Sequence, residues 1–261
     1  MIELLRARMI QGNATIKFPK APPVMPDRFR GRPVIDPTKC VAGCKQCEEA
    51  CPTGAINSTD FSEPRIDLGR CLFCTDCAEA CPSGAITHSS DYCLSANQRD
   101  QLIVEAKDNS PQQVVSLKNE MLRLFRRSLK LRQVSAGGCN GCEADTNVLN
   151  TITYDLGRFG IQFVASPRHA DGLLITGPVT ANMKSALLKT WEAVPAPKIV
   201  IAVGACAISG GPFRDHAVQN NGIDGLFPVD LYIAGCPPHP ITILDGLLRL
   251  LARMPSVETH R

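Results

Sequence analysis

The stretch CKQCEEACPTGAI, Cys44 to Ile56, returns thirty residues later as CTDCAEACPSGAI, Cys74 to Ile86. Aligning the copies pairs Cys44 with Cys74, Cys47 with Cys77 and Cys51 with Cys81, and pairs Cys40 with Cys71 once one inserted residue is allowed. The second copy reads Cys71-x2-Cys74-x2-Cys77-x3-Cys81-Pro82 and the first Cys40-x3-Cys44-x2-Cys47-x3-Cys51-Pro52. Each therefore groups three thiols on one short loop and sends a fourth away from it.

That three-plus-one spacing is the bacterial ferredoxin pattern, in which the fourth cysteine of each run serves the neighbouring cluster. By this rule Cys40, Cys44 and Cys47 are expected to hold one 4Fe-4S cluster with Cys81, and Cys71, Cys74 and Cys77 a second with Cys51. Each fourth cysteine is expected to open a helix leading away from the loop. Pro52 and Pro82 fix φ behind the last thiol, and Gly54 and Gly84 allow the turn into the apolar Ala-Ile that packs beneath each cluster. Zinc also takes four thiolates, but its ribbons pair two CxxC knuckles across a spacer, which the repeat does not do. A non-redox zinc module stands as the alternative. The residue inserted after Cys40 bulges the first loop and can alter hydrogen bonds to sulfur.

At 261 residues the chain has room for two modest domains. With 44% apolar and 20% charged residues it has the composition of a globular protein, and the 13 cysteines are its one departure. The opening MIELLRARMI mixes Glu3, Arg6 and Arg8 into its apolar residues, so no secretory leader is expected. No apolar run approaches the roughly eighteen residues of a spanning helix, so membrane contact is expected to be peripheral. In a reducing compartment, dense cysteines at short spacings favour metal ligation over disulfides. A net charge of +3, with dispersed Arg and Lys and no aromatic interleaving, argues against nucleic acid as a partner. Neither GRFG nor GACAISGG has the spacing or context of a phosphate-binding loop, so no nucleotide site is assigned.

Five cysteines remain: Cys93, Cys139, Cys142, Cys206 and Cys236. Four lie among glycines and prolines, in GGCNGCE, VGACAISGG and AGCPPHP, where small neighbours let backbone N–H groups approach cluster sulfur. Cys139, Cys142, Cys206 and Cys236 fit one further four-thiolate site. Cys93 is the odd one out and reads as a small buried hydrophobe rather than a reactive thiol. Strands are expected near IQFVAS, GLLITG, KIVIAVG and DLYIAG, with helices at ANMKSALLKTWEAV and ITILDGLLRLLA. The fold class is thus α/β, a parallel sheet whose ligands gather beyond the carboxyl ends of its strands. Cys206 and Cys236 sit at such ends.

The segments GGCNGCE, SPRHADGLLITGPVT, GACAISGG and GCPPHP, in that order from Leu131 onward, resemble the small proximal-cluster subunit shared by NiFe hydrogenases and respiratory complex I. The CxxC pair Cys139 and Cys142 is similar to the hydrogenase branch, where complex I subunits carry adjacent cysteines. The sequence looks closest to the membrane-bound, energy-converting hydrogenases of the formate hydrogenlyase type. FRGRPVIDPTKC with the cysteine repeat resembles the bis-4Fe-4S ferredoxin-like subunit of the same complexes. The resemblance implies a two-cluster ferredoxin-like domain joined to a flavodoxin-like α/β domain with three 4Fe-4S clusters in all. It implies that the nickel–iron centre belongs to a partner large subunit. Other implied partners are membrane subunits and an electron-donor subunit or ferredoxin, and the implied location is peripheral, on the cytoplasmic side of the membrane. A complex I-like subunit whose partner passes electrons to quinone is the rival reading.

Four spans follow: 1–34 as an N-terminal docking extension, 35–95 as the ferredoxin domain, 96–132 as an amphipathic connector and 133–261 as the proximal-cluster domain. Within the connector, residues 111–133 are expected to be helical, with Val114, Leu117, Met121, Leu124 and Phe125 on one face. At the start of the chain, Leu4, Leu5 and Met9 have helical spacing suited to a membrane subunit or to a frayed end. Glu143 directly follows a predicted ligand, and two roles stand for it: a proton-relay or interface group, or a carboxylate placed at a helix N-terminus by the macrodipole. No catalytic residue is assigned. His169 and His239 are expected to hydrogen-bond beside the cluster or to face an interface, because four thiolates already complete it.

Overall fold

The computed structural model describes residues 2–58, 64–106 and 114–254. Helix α1 (Ile2–Gln11) opens it with its residues exposed. The chain then runs as a strap along the C-terminal half. The Ile16 N–H donates to the Thr153 carbonyl at 2.9 Å, and the Arg158 guanidinium holds the carbonyls of Ile16 and Phe18 at 2.9 and 2.8 Å. The Phe18 ring is buried edge-on to Tyr92, 6.0 Å between centroids.

The repeat folds as β1 (Pro33–Ile35), α2 (Gln46–Glu49), β2 (Ile56–Asn57), β3 (Arg65–Asp67), α3 (Asp76–Glu79) and β4 (Ile86–His88). β1 pairs antiparallel with β4, setting Ile35 against Ile86, and β2 pairs antiparallel with β3, setting Ile56 against Ile66. Ala55, Ile56, Ala85 and Ile86 are all buried, as the Ala-Ile pairs require. Gly54 and Gly84 turn with φ of 57° and 63°, a region that costs glycine little. Cys51 and Cys81 do not open helices as expected: each follows the short helix, α2 or α3, that its loop leads into. Two further strands come next, β5 (Ser95–Ala96) and β6 (Ile103–Glu105), and β6 returns to pair with β3.

The second half runs α4 (Asn119–Phe125), β7 (Leu129–Ser135), α5 (Gly141–Val148), β8 (Ile161–Phe163), β9 (Gly172–Thr176), α6 (Ala181–Ala193), β10 (Ile199–Val203), α7 (Ala205–Ser209), β11 (Leu231–Ile233) and α8 (Pro240–Leu250). Its sheet has the order β5-β11-β10-β9-β7-β8, parallel throughout except for β5 at the edge. Counting only the parallel strands in chain order gives 2-1-3-4-5, the flavodoxin-like winding, which reverses between β7 and β9. Strands β9, β10 and β11 are buried along their whole length, so their sequences read as unbroken apolar runs. α8 is a core helix buried on nearly every side.

The helical expectation for residues 111–133 is corrected. Among the described residues it holds only for α4; from Leu129 the chain is a strand, and Pro111, Gln112 and Gln113 lie outside the described residues. Of the proposed apolar face, Phe125 is buried while Leu124 is exposed.

The two halves share a core. One apolar cluster joins Ile35, Ile56, Ile66 and Ile86 of the repeat to Val134, Ile175, Val200 and Ile208 of the sheet domain. Gly69 makes the close approach possible, since a Cβ there would lie 2.7 Å from Ile208 Cγ2. The Ser209 hydroxyl, one residue on, donates to the Gly69 carbonyl at 2.8 Å. Arg99 braces the same loop through a two-pronged ion pair with Asp67, at 2.7 and 2.6 Å.

Candidate iron–sulfur sites

Eleven cysteines fall into the three neighbourhoods that their spacing suggests, and Cys44 lies on the first loop between Cys40 and Cys47. In the repeat, Cys71 has its thiol pushed up to about 12 by burial first, and then by Cys77, Cys51 and Cys74 around it. Cys77 is pushed up to about 11 by burial, then by Cys74, Cys51 and, more weakly, Cys47. The Cys47 thiol is raised by burial, with Cys81 and Cys40 as its nearest thiol influences. Cys51 thus lies with the second loop and Cys81 with the first.

The second loop borders a small cavity lined by Cys51, Cys71, Cys74 and Cys77 together with Pro33 and His88. Backbone donors are aimed at the sulfurs. Ala55 N–H reaches Cys51 Sγ and Ala85 N–H reaches Cys81 Sγ, both at 3.2 Å, and Phe73 N–H reaches Cys71 Sγ at 3.3 Å. At Cys81 burial acts to raise the thiol, but hydrogen bonds from Ser83, Ala85 and Ile86 outweigh it and lower the value. Such donors stabilise sulfur-centred negative charge, which is what an iron–sulfur cluster presents.

The third neighbourhood lies beyond the carboxyl ends of the parallel strands. Cys139 and Cys142 follow β7, the latter in the first turn of α5; Cys206 follows β10 in α7, and Cys236 follows β11. Cys142 and Cys206 are buried, Cys236 is half-buried and Cys139 is exposed. Burial raises Cys142, and Cys206, Glu143, Cys236 and Cys139 add to the rise. Cys206 is pushed up to about 12 by burial, then by Cys236 and Cys139. The cradle is shaped by glycine. A Cβ on Gly204, whose φ is +88°, would strike Cys142 Sγ, and one on Gly211, φ +54°, would lie 2.9 Å from Cys206 Sγ. Among the described residues no three His, Cys, Asp or Glu side chains converge on a point that one metal ion would fill.

The two halves meet at these sites. Besides burial and Cys139, the Cys236 thiol is raised by Cys74 of the second loop. A cleft between them is lined by Arg30, Phe73, Asp145, Cys236, Pro237 and His239. Arg30 Nη1 clamps the loop by donating to the carbonyls of Phe73 and Cys74 at 3.3 and 2.8 Å.

Glu143 is buried, and its Oε1 accepts from the hydroxyls of Ser135 and Thr176, both at 2.6 Å. It therefore joins the ends of β7 and β9 at the point where the sheet reverses, and it lines an open cleft there with Arg132, Asn147 and Phe163. His239 caps α8, its Nδ1 accepting from Ile241 N–H at 3.1 Å, and stacks edge-on with Phe29. His169 is exposed in the turn before β9. Cys93 stands apart from the three groups. It is half-buried rather than buried, burial raises its thiol well above the ordinary range, and Arg249 Nη2 donates to its sulfur at 3.5 Å while pairing with the buried Asp245. Spacing carries no signal for Arg30, His88, Ser135 or Thr176, because strand register and the strap, rather than ligand spacing, bring each to its site.

Residues 139–250 match the family described as NADH ubiquinone oxidoreductase, 20 Kd subunit, and residues 39–85 match the 4Fe-4S dicluster domain. Formate hydrogenlyase subunit 7 of Escherichia coli is 46% identical over 53% of this chain, a match that spans 54% of that relative's length. The probable membrane-bound hydrogenase subunit mbhJ of Pyrococcus furiosus is 41% identical over 52% of this chain and 81% of its own. An NADH-quinone oxidoreductase subunit of Heliobacterium modesticaldum is 37% identical over 62% of this chain and 88% of its own. A chain in the solved membrane-bound sulfane sulfur reductase, an archaeal respiratory membrane complex, is 37% identical over 54% of this chain and 78% of its own, with a TM-score of 0.45. Among the described residues no helix is long and apolar enough to cross a membrane. The protein belongs to the NADH ubiquinone oxidoreductase 20 Kd subunit family, whose members include hydrogenase and NADH-quinone oxidoreductase subunits, and it carries a 4Fe-4S dicluster domain ahead of that unit in the same polypeptide.

Proposed function

We propose that this chain is the electron-transfer subunit of an energy-converting NiFe hydrogenase complex and binds three 4Fe-4S clusters. The ligands are Cys40, Cys44, Cys47 and Cys81 for the outer cluster, Cys51, Cys71, Cys74 and Cys77 for the inner, and Cys139, Cys142, Cys206 and Cys236 for the proximal. When bound, such clusters supply one-electron carriers whose potentials respond to nearby charge and hydrogen bonds. The chain's own residues fix their order. The observation that carries the reading is the cleft where Phe73 of the second loop and Cys236 meet, with Cys74 near enough to raise the Cys236 thiol, which supports inner and proximal groups lying side by side. Cys47 and Cys77 link outer to inner in the same way.

Exposed Cys139 opens the proximal group to a partner surface, and the open cleft beside Glu143 extends that surface. A large subunit bearing nickel and iron fits there, with Glu143 as an interface or proton-relay group. Residues 1–34 serve as a docking extension, with α1 presenting Leu4, Leu5 and Met9 to a membrane subunit on the cytoplasmic side. An electron-donor subunit or ferredoxin meets the outer cluster.

The CxxC pair Cys139 and Cys142 favours the hydrogenase reading, whereas the likeness to the NADH-quinone oxidoreductase relative keeps a quinone-reducing complex as the second. Anaerobic purification of the native complex with metal analysis separates them. About twelve irons for each copy of this chain, with nickel in the complex and hydrogen evolution from reduced viologen, is the expected result. Iron without nickel, with quinone reduction, overturns the hydrogenase reading in favour of the second.

A further inference from the structure

We infer that His88 donates a ring hydrogen bond to the inner cluster and, with Arg30, makes it the higher-potential member of the ferredoxin pair. The inference rests on the inner-cluster assignment proposed above.

Two independent observations place His88 there. His88 lines the cavity that Cys51, Cys71, Cys74 and Cys77 border. Its Nδ1 is also buried without a hydrogen-bond partner. Buried polar atoms in folded proteins are nearly always paired, and an orphan beside a four-thiol cavity is explained by a group that fills the cavity. The β1–β4 register sets His88 opposite Pro33, whose nitrogen has no hydrogen to offer and which lines the same cavity. Arg30, clamped onto the carbonyls of Phe73 and Cys74, brings a fixed positive charge to the same loop and lies within electrostatic reach of His88.

The repeat provides its own comparison. Thirty residues before His88 stands Ser58, whose hydroxyl donates to the Glu48 carboxylate, and the counterpart of Glu48 in the second copy is Ala78. One copy thus pairs a hydroxyl with a carboxylate where the other has an imidazole. The acids balance, since Asp76 beside Cys74 in the second copy has neutral Gln46 as its counterpart, so the difference between the copies is the imidazole and Arg30. Hydrogen bonds to sulfur and positive charge favour the reduced cluster, while negative charge opposes it. An electron entering the pair therefore comes to rest on the inner cluster, next to Cys236.

The test is a redox titration of the full chain, prepared anaerobically and followed by electron paramagnetic resonance, with iron counted in each sample. The inner-cluster signal is identified as the one lost in Cys71→Ser. In His88→Leu, with iron retained, the midpoint of that signal alone shifts downward, and His88→Gln, which keeps a donor, recovers part of the shift. An unchanged midpoint in His88→Leu overturns the inference, as does an equal shift of every signal or loss of iron in both variants, which marks a merely structural residue. A wild-type chain that lacks a Cys71-dependent signal fails differently: it removes the inner-cluster assignment itself.

Discussion

A thiol whose pKa lies near 12 is protonated throughout the neutral range, and Cys71 and Cys206 are both pushed there by burial and by neighbouring thiols. Iron binds the thiolate, so each such proton must leave when a cluster assembles. Because protons are products of loading, the balance shifts toward the loaded form as pH rises. At fixed iron and sulfide, uptake by the apo chain is expected to be greater at pH 9 than at pH 7, with protons released in step; equal uptake at both would contradict it. Glu143 gives a second prediction. Glu143→Gln keeps an oxygen for the Ser135 and Thr176 hydroxyls and should leave thermal stability near wild type. Glu143→Ala strands the Ser135 hydroxyl and leaves Thr176 only its long bond to the Val134 carbonyl, and should cost about 1–3 kcal/mol in denaturant unfolding. A relay role further requires that Gln change the pH profile of turnover in the complex, and an unchanged profile would exclude it. The grouping of the cysteines was legible from sequence because the repeat keeps their spacing short and regular. His88, Arg30, Ser135 and Thr176 were not, because their contacts are set by strand register and by the strap.

Among the elements, β7 shows best where the pattern misled. It alternates Leu129, Lys130, Leu131 with burial that alternates too, and it directly follows the helical run of α4. An interior strand of a parallel sheet is ordinarily covered on both faces and reads as unbroken apolar sequence. Here the cleft lined by Arg132, Gln133 and Ser135 leaves β7 partly open, so polar residues persist and blur the boundary with the helical period before it. Strand β5 is two residues long and exists because the β11 edge accepts it, which no local propensity announces. The seam between the halves yields a prediction at this scale. Gly69→Val would drive its side chain into Ile208 and Arg99, at a cost of about 1–3 kcal/mol by overpacking. Melting temperature should fall and reduction of the proximal cluster through the inner one should slow, while iron content holds. Unaltered kinetics in a destabilised but iron-replete variant would show that the seam does not set the distance between them.

At the scale of the molecule, two units that each match a separate family model share one apolar core, and the strand that follows the first, β5, pairs antiparallel with β11 of the second. The ferredoxin-like unit is thereby held against the sheet domain with its second loop facing Cys236, while the strap carrying Arg30 spans both. That juxtaposition could not be read from sequence, since spacing within each unit says nothing about how the units face one another. The central claim is that Cys139, Cys142, Cys206 and Cys236 hold a cluster of their own beside the inner one. Iron and spin counting on the full-length Cys206→Ser chain, prepared anaerobically and fully reduced, tests it most directly. The account predicts that about a third of the iron and one paramagnetic signal disappear while the ferredoxin pair is preserved; iron content and spectrum identical to wild type would contradict it.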